Sequence, residues 1–132
     1  MILIYTSNQM VANAMTSLSR ENDEYYFNNK NFFLVYASIF DSAVKLIDVI
    51  DRKSYKDAGW LTEALDSRKI KNVYFLTNKK DYYPWIPRKN LISDVDGLEL
   101  LLNKRRKLKL NEISILADTL KKNYRINVMN SC

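Results

Sequence analysis

The chain has no histidine, one cysteine, two glycines and two prolines among its 132 residues. Each scarcity excludes something. Without histidine there is no imidazole general base, no Ser-His or Cys-His nucleophile pair, and no ordinary zinc site. The one thiol, Cys132, cannot close an internal disulfide. At the end of the sequence it is also poorly placed to be a positioned nucleophile. Any metal would have to be a hard ion held by carboxylates. Only Gly59 and Gly97 are present, so neither a glycine-rich pyrophosphate turn nor a P-loop can be written anywhere along the chain. No apolar run approaches the roughly 18 residues of a membrane-spanning helix. Met1-Ile2-Leu3-Ile4-Tyr5 lacks the basic leader and long apolar block of a signal peptide and reads as a strand. A cytoplasmic protein away from membranes is the expectation.

What is present suits one α/β domain spanning residues 1–132. Apolar residues make up 47% and charged residues 27%, enough for a sizeable core under an ordinary soluble surface. The net charge is +6 and the sequence pI about 9.4. That charge is uneven. Residues 1–50 hold three basic and five acidic side chains, and residues 51–132 the remaining eighteen and ten. A basic second half suggests an anionic partner, although lysines and arginines also solvate helix faces. Richness in Asn, Lys, Ile and Tyr fits an AT-rich coding sequence such as many phages carry.

The elements follow from periodicity. Ile2–Thr6 is a continuous apolar run, as in a strand buried on both faces. Ser7 and Asn8 can cap a helix whose apolar stripe is Met10, Val11, Ala14, Met15 and Leu18. Residues 24–27 and 32–36 read as two strands, and the Asn-rich stretch 28–31 between them as a hairpin turn. Ala43, Leu46, Ile47 and Ile50 share a helical spacing, with Asp41 and Ser42 as caps, so residues 43–50 are expected to be helical. Residues 57–68 form a clearer helix leading into the strand 73–77. Pro84 and Pro87 make residues 78–90 a loop. Ser93 is expected to cap a helix beginning at Asp94. Asn111 is expected to cap another, striped by Ile113, Leu116, Ala117, Leu120 and Tyr124, before a short strand at 126–129. The sum is a three-layer sandwich: a mainly parallel, Rossmann-like sheet with a β-hairpin edge and helices on both faces.

Three groups of residues could carry chemistry. Thr6, Ser7 and Asn8 follow the first strand, where doubly wound sheets bind anions at helix N-termini, so a phosphate or small nucleotide could sit there; the plainer reading is a helix cap. Asp94 and Asp96 are spaced to share a Mg²⁺ ion. Leu91-Ile92-Ser93-Asp94-Val95-Asp96-Gly97 resembles the first motif of haloacid-dehalogenase-type phosphatases. That resemblance implies a nucleophilic Asp94 and a proton-donating Asp96. It departs at Leu98, where that family has Thr, and residues up to Cys132 leave no room for its lysine and second acidic pair. Asp94-x-Asp96 also resembles the acidic pair of Toprim domains, whose first strand ends in a catalytic Glu; Ser7 and Asn8 stand in that region here. Against both, acids in a first helical turn are ordinary capping residues.

The third group is larger. Lys79, Lys80, Arg88 and Lys89 flank Tyr82, Tyr83 and Trp85, and Lys104, Arg105, Arg106 and Lys107 form a dense cationic run. Cations contact phosphates and exposed rings stack on bases, a combination suited to single-stranded nucleic acid. The same residues suit a protein hot spot, or Tyr82 and Trp85 could fold back as a lid on the core. The leading expectation is a non-enzymatic nucleic-acid-binding protein without cofactor. The alternatives are an accessory or inhibitor protein, of the kind phages encode, that binds a host protein, and a Mg²⁺-dependent phosphotransferase or nuclease at Asp94 and Asp96.

Overall fold

A computed structural model describes residues 1–20, 23–78 and 85–103. Its first strand, β1 (Ile2–Tyr5), is buried along its whole length. The chain then turns through Asn8, whose side-chain oxygen accepts from the backbone N–H of Met10 and Val11 and so starts α1 (Gln9–Leu18). The strand β2 (Glu24–Phe27) follows. Asn29 repeats the Asn8 device and caps α2 (Lys30–Ile39) by accepting from Asn31 and Phe32. Then come β3 (Val44–Asp48), α3 (Arg52–Ser67), β4 (Val73–Leu76), a 3-10 turn at Arg88–Asn90, β5 (Leu91–Ile92) and α4 (Val95–Leu102).

The five strands lie in the order β2-β1-β3-β4-β5 and every neighbouring pair is parallel. This is one of the common doubly wound orders, in which the direction of winding reverses between β1 and β3. Side chains alternate across the sheet. Leu3, Tyr5 and Ile47 face α2 and α3 in one core, whereas Ile2, Ile4 and Leu46 face α1 and α4 in the other. The three-layer α/β architecture is therefore as expected. No described helix is long and apolar enough to cross a membrane.

Two segments correct the sequence reading. There is no β-hairpin edge among the described residues: residues 32–36, expected as its second strand, lie inside α2. Phe33, Leu34, Tyr36 and Ala37 bury at helical spacing, and Asn29 serves as a helix cap rather than a hairpin turn. Aromatic residues favour strands only while nothing larger competes. Here four rings, Tyr5, Phe27, Phe33 and Tyr36, pack on one another across α2 and the sheet. Conversely, residues 43–50, expected as a helix, contain the central strand β3. A strand covered on both faces need not alternate, so its burial pattern gives no period-two signal, and polar Asp48 is buried with it. α3 also begins earlier than the sequence suggests, at Arg52, because Asp51 accepts from the N–H of Ser54. The N-cap of α4 is Asp94 rather than Ser93. The expected cap at Asn111, the helix after it and the strand at 126–129 lie outside the described residues.

On the α3 side of β4, described coverage comes from the segment before β5. Ile86 is buried, and Trp85 stands edge-on to Phe75 with ring centroids 5.8 Å apart. Gly59 lies within α3, and a Cβ built there meets nothing within 4 Å. Gly59→Ala should therefore raise stability by about 0.5–1 kcal/mol through helix propensity alone. A urea-denaturation midpoint that moved down instead would show that Gly59 has a packing role.

Candidate functional site

The winding reversal places the carboxyl ends of β1 and β3 side by side, the position where doubly wound sheets bind ligands. Thr6 and Asp48 meet there, both fully buried. The Thr6 hydroxyl donates to Asp48 Oδ2 at 2.8 Å, and Asp48 Oδ1 accepts from the N–H of Ile50 at 2.9 Å and of Asp51 at 3.3 Å. Burial pushes the Asp48 carboxyl above its ordinary range, and the hydroxyl and two backbone donors only partly oppose this. The surrounding donors are also engaged. The N–H of Ser7 donates to Ser54 Oγ, that of Asn8 to Thr6 Oγ1, and those of Met10 and Val11 to the Asn8 side chain. Tyr5 donates to Asp57, which also lies 3.7 Å from Lys30 Nζ. The turn expected to bind an anion thus spends four of its N–H groups internally, beside Asp48, Asp51 and Asp57.

Asp94 and Asp96 stand at this same edge but face different hollows. Asp94 Oδ1 accepts from the N–H of Gly97 at 2.7 Å and so caps α4. A Cβ on Gly97 would come within 2.9 Å of that oxygen, which explains the glycine. Asp94 borders an apolar groove of about 280 Å³ with Val11, Ile50, Thr77 and Val95. Asp96 borders another with Arg20 and Glu99. Ser7 lines neither of these two hollows. Among the described residues no three His, Cys, Asp or Glu side chains are grouped to hold a metal ion.

The opposite, amino edge is built differently. α3 ends in a Schellman turn: the N–H of Lys69 reaches Asp66 O and that of Ile70 reaches Leu65 O, with Lys69 left-handed at φ 57°. Asn72 is left-handed too, at φ 63°. These turns leave Arg68, Lys69 and Lys71 exposed. Buried Lys45, in β3, holds the segment from beneath by donating to Lys71 O at 3.1 Å and to Asp41 O. After Pro87, the 3-10 turn exposes Arg88 and Lys89. The Asn90 side chain ties that turn to the start of β4 by donating to Val73 O at 2.7 Å. The two segments flank one hollow, lined by Ile70 and Val73 on one side and Pro87 and Asn90 on the other. Among the described residues no carboxylate lies within 4.0 Å of Arg68, Lys69, Lys71, Arg88 or Lys89. Arg20 is occupied by Glu99 at 2.9 Å, and its N–H by Asn103. Trp85 is 40% exposed despite its contact with Phe75, so the indole is at once a partial lid and an accessible ring.

Three of the expected partner-binding residues, Trp85, Arg88 and Lys89, are thus brought to one region. Lys79, Lys80, Tyr82, Tyr83, Lys104, Arg105, Arg106 and Lys107 lie outside the described residues. Arg68, Lys69 and Lys71 were missed by the sequence reading. Their signal was available: a helix end followed by Lys-Ile-Lys and a strand must turn at the sheet edge, where these side chains point outward. Comparison with protein-family models, with curated proteins and with solved structures finds no match, so the chemistry of both edges rests on their geometry.

Two outcomes test these assignments. Because the folded Asp48 carboxyl titrates above its unfolded counterpart, its contribution to stability is present at low pH and lost as pH rises through the folded pKa. The stability of the native protein minus that of Asp48→Asn should therefore fall as pH rises above the ordinary carboxylate range, whereas Asp48→Ala should cost about 1–3 kcal/mol by orphaning the Ile50 and Asp51 donors. A difference that grows with pH would refute the burial argument. For Asp94, the capping role predicts that Asn substitutes without loss, while Ala costs about 1 kcal/mol. Loss of measurable Mg²⁺ binding in Asp94→Asn would instead reinstate a metal site.

Proposed function

We propose that this protein is a non-enzymatic binding protein whose amino edge holds an anionic polymer, a single-stranded nucleic acid. The observation that carries the reading is the meeting of cations from two separate stretches, residues 68–71 and 88–89, beside a half-exposed indole. Cations at that edge are suited to phosphates, and the ring to stacking on a base. Lys45 adds a buried positive charge beneath the same surface. The described chain also ends at this edge, at Asn103, whose side chain accepts from Arg20 just beyond the end of α1, and the next four residues of the sequence are Lys104, Arg105, Arg106 and Lys107. At the carboxyl edge the N–H groups of Ser7, Asn8, Met10 and Val11 are already engaged within the protein.

A second reading, an accessory protein that docks on another protein, is favoured by a specific observation. Ile50 and Val95 are exposed apolar side chains lining the groove beside α1 and α4.

Affinity for a single-stranded oligonucleotide should fall steeply with salt, with log K linear in log salt concentration and a slope near −0.7 per phosphate contact. Reversing Arg88 and Lys89 together to Glu should reduce that slope by about 1.4 and weaken binding for every sequence alike. Affinity that barely changes with salt would remove the basis for the first reading. Partner capture that survives nuclease but is lost in Val95→Asp would support the second.

A further inference from the structure

The cationic edge does not stop at the phosphate-facing residues. A groove of about 580 Å³ runs beside it, between α3 and the segment before β5, lined by Gly59, Thr62, Glu63, Asp66, Trp85 and Pro87. Its size is that of a small-molecule cleft, roughly 300–1,000 Å³. Thr62, Asp66 and Pro87 also line the smaller hollow that the two basic segments flank, so the two spaces adjoin. One wall is an indole held edge-on by Phe75. The facing wall is kept open by Gly59, where a side chain would meet nothing within 4 Å. Glu63 and Asp66 are exposed and three residues apart, so they share one face of α3. Among the described residues neither carboxylate has a hydrogen-bond or ion-pair partner.

A carboxylate beside a surface for phosphates weakens binding unless it meets donors of its own. Ionised, it is acceptor-only, with two oxygens side by side. Guanine presents N1–H and N2–H as adjacent donors on one edge. Adenine and cytosine present an amino donor beside an acceptor nitrogen, and thymine or uracil one N–H between two carbonyls. Only guanine can satisfy both oxygens of one carboxylate.

We propose that this groove takes one unpaired base of a single-stranded nucleic acid and prefers guanine, the ring lying against Trp85 and its edge bound by Glu63 or Asp66. The inference rests on the reading of the amino edge as a nucleic-acid surface, and names what that surface selects. A base seated in the groove leaves its phosphates toward Lys69, Lys71, Arg88 and Lys89.

The test is fluorescence anisotropy with short oligothymidylates that carry one central guanine, adenine or cytosine, or none. The guanine oligonucleotide should bind about tenfold more tightly than the all-thymine one. In the double variant Glu63→Gln with Asp66→Asn that ratio should fall to about one, while the all-thymine oligonucleotide binds at least as tightly as before, since two negative charges are gone. Gly59→Leu, which fills the groove from a helix position that favours Leu over Gly, should also erase the preference in a folded protein. Equal binding of all four oligonucleotides by the native protein overturns the guanine site and leaves the amino-edge reading standing. A preference that persists in both variants overturns it as well. Binding of none of them overturns both.

Discussion

The structure depends on the burial of β3 on both of its faces. A strand so enclosed cannot leave a charged side chain without partners, because an unpaired charge in the interior costs several kcal/mol. It nevertheless carries two. Lys45, near its start, reaches the carbonyls of Asp41 and Lys71. Asp48, at its end, accepts from Thr6, Ile50 and Asp51. Each therefore fastens the loops at its own end of the sheet, Lys45 those that enter the strands and Asp48 those that leave them. One buried strand thus ties the loops at both ends of the sheet.

Those ties organise the two edges. At the carboxyl edge, Asp51 and Asp57 join Asp48, and the first turns of α1 and α3 are closed by Asn8 and Asp51. The place where a doubly wound sheet would ordinarily receive a phosphate is stitched shut by its own side chains. At the amino edge, the Schellman turn of α3 and the proline-led 3-10 turn before β5 push five cations outward from two directions. The segment before β5 matters twice: Ile86 and Trp85 cover the face of β4, and Trp85, nearly perpendicular to Phe75, keeps part of its indole in solvent. The lid and the accessible ring, alternatives in the sequence, are one side chain.

The site was less legible than the fold, and particular residues show why. Trp85, Arg88 and Lys89 were visible as an aromatic and basic loop. Arg68, Lys69 and Lys71 were passed over as the ordinary polar end of a helix: that this end feeds a strand was legible, but which other residues share its edge was not. Asp94 and Asp96 were conspicuous for their spacing, yet the first is a helix cap and the two border separate hollows. The groove beside Trp85 was invisible, since Gly59 and Glu63 share a hollow with Trp85 only in the folded chain.

The sequence by itself determined the α/β class, the strands β1, β2 and β4, the helices α1, α3 and α4, and the exclusion of imidazole, internal-disulfide and P-loop chemistry. Those follow from residue identity and local periodicity, which need no distant partner. The tertiary structure decided that residues 32–36 are helical and 44–48 extended. Both runs are apolar enough for either conformation, and only burial between neighbours chooses. It alone decided the strand order as well, and with it which charges share an edge, because pairing in a parallel sheet joins residues far apart in the chain.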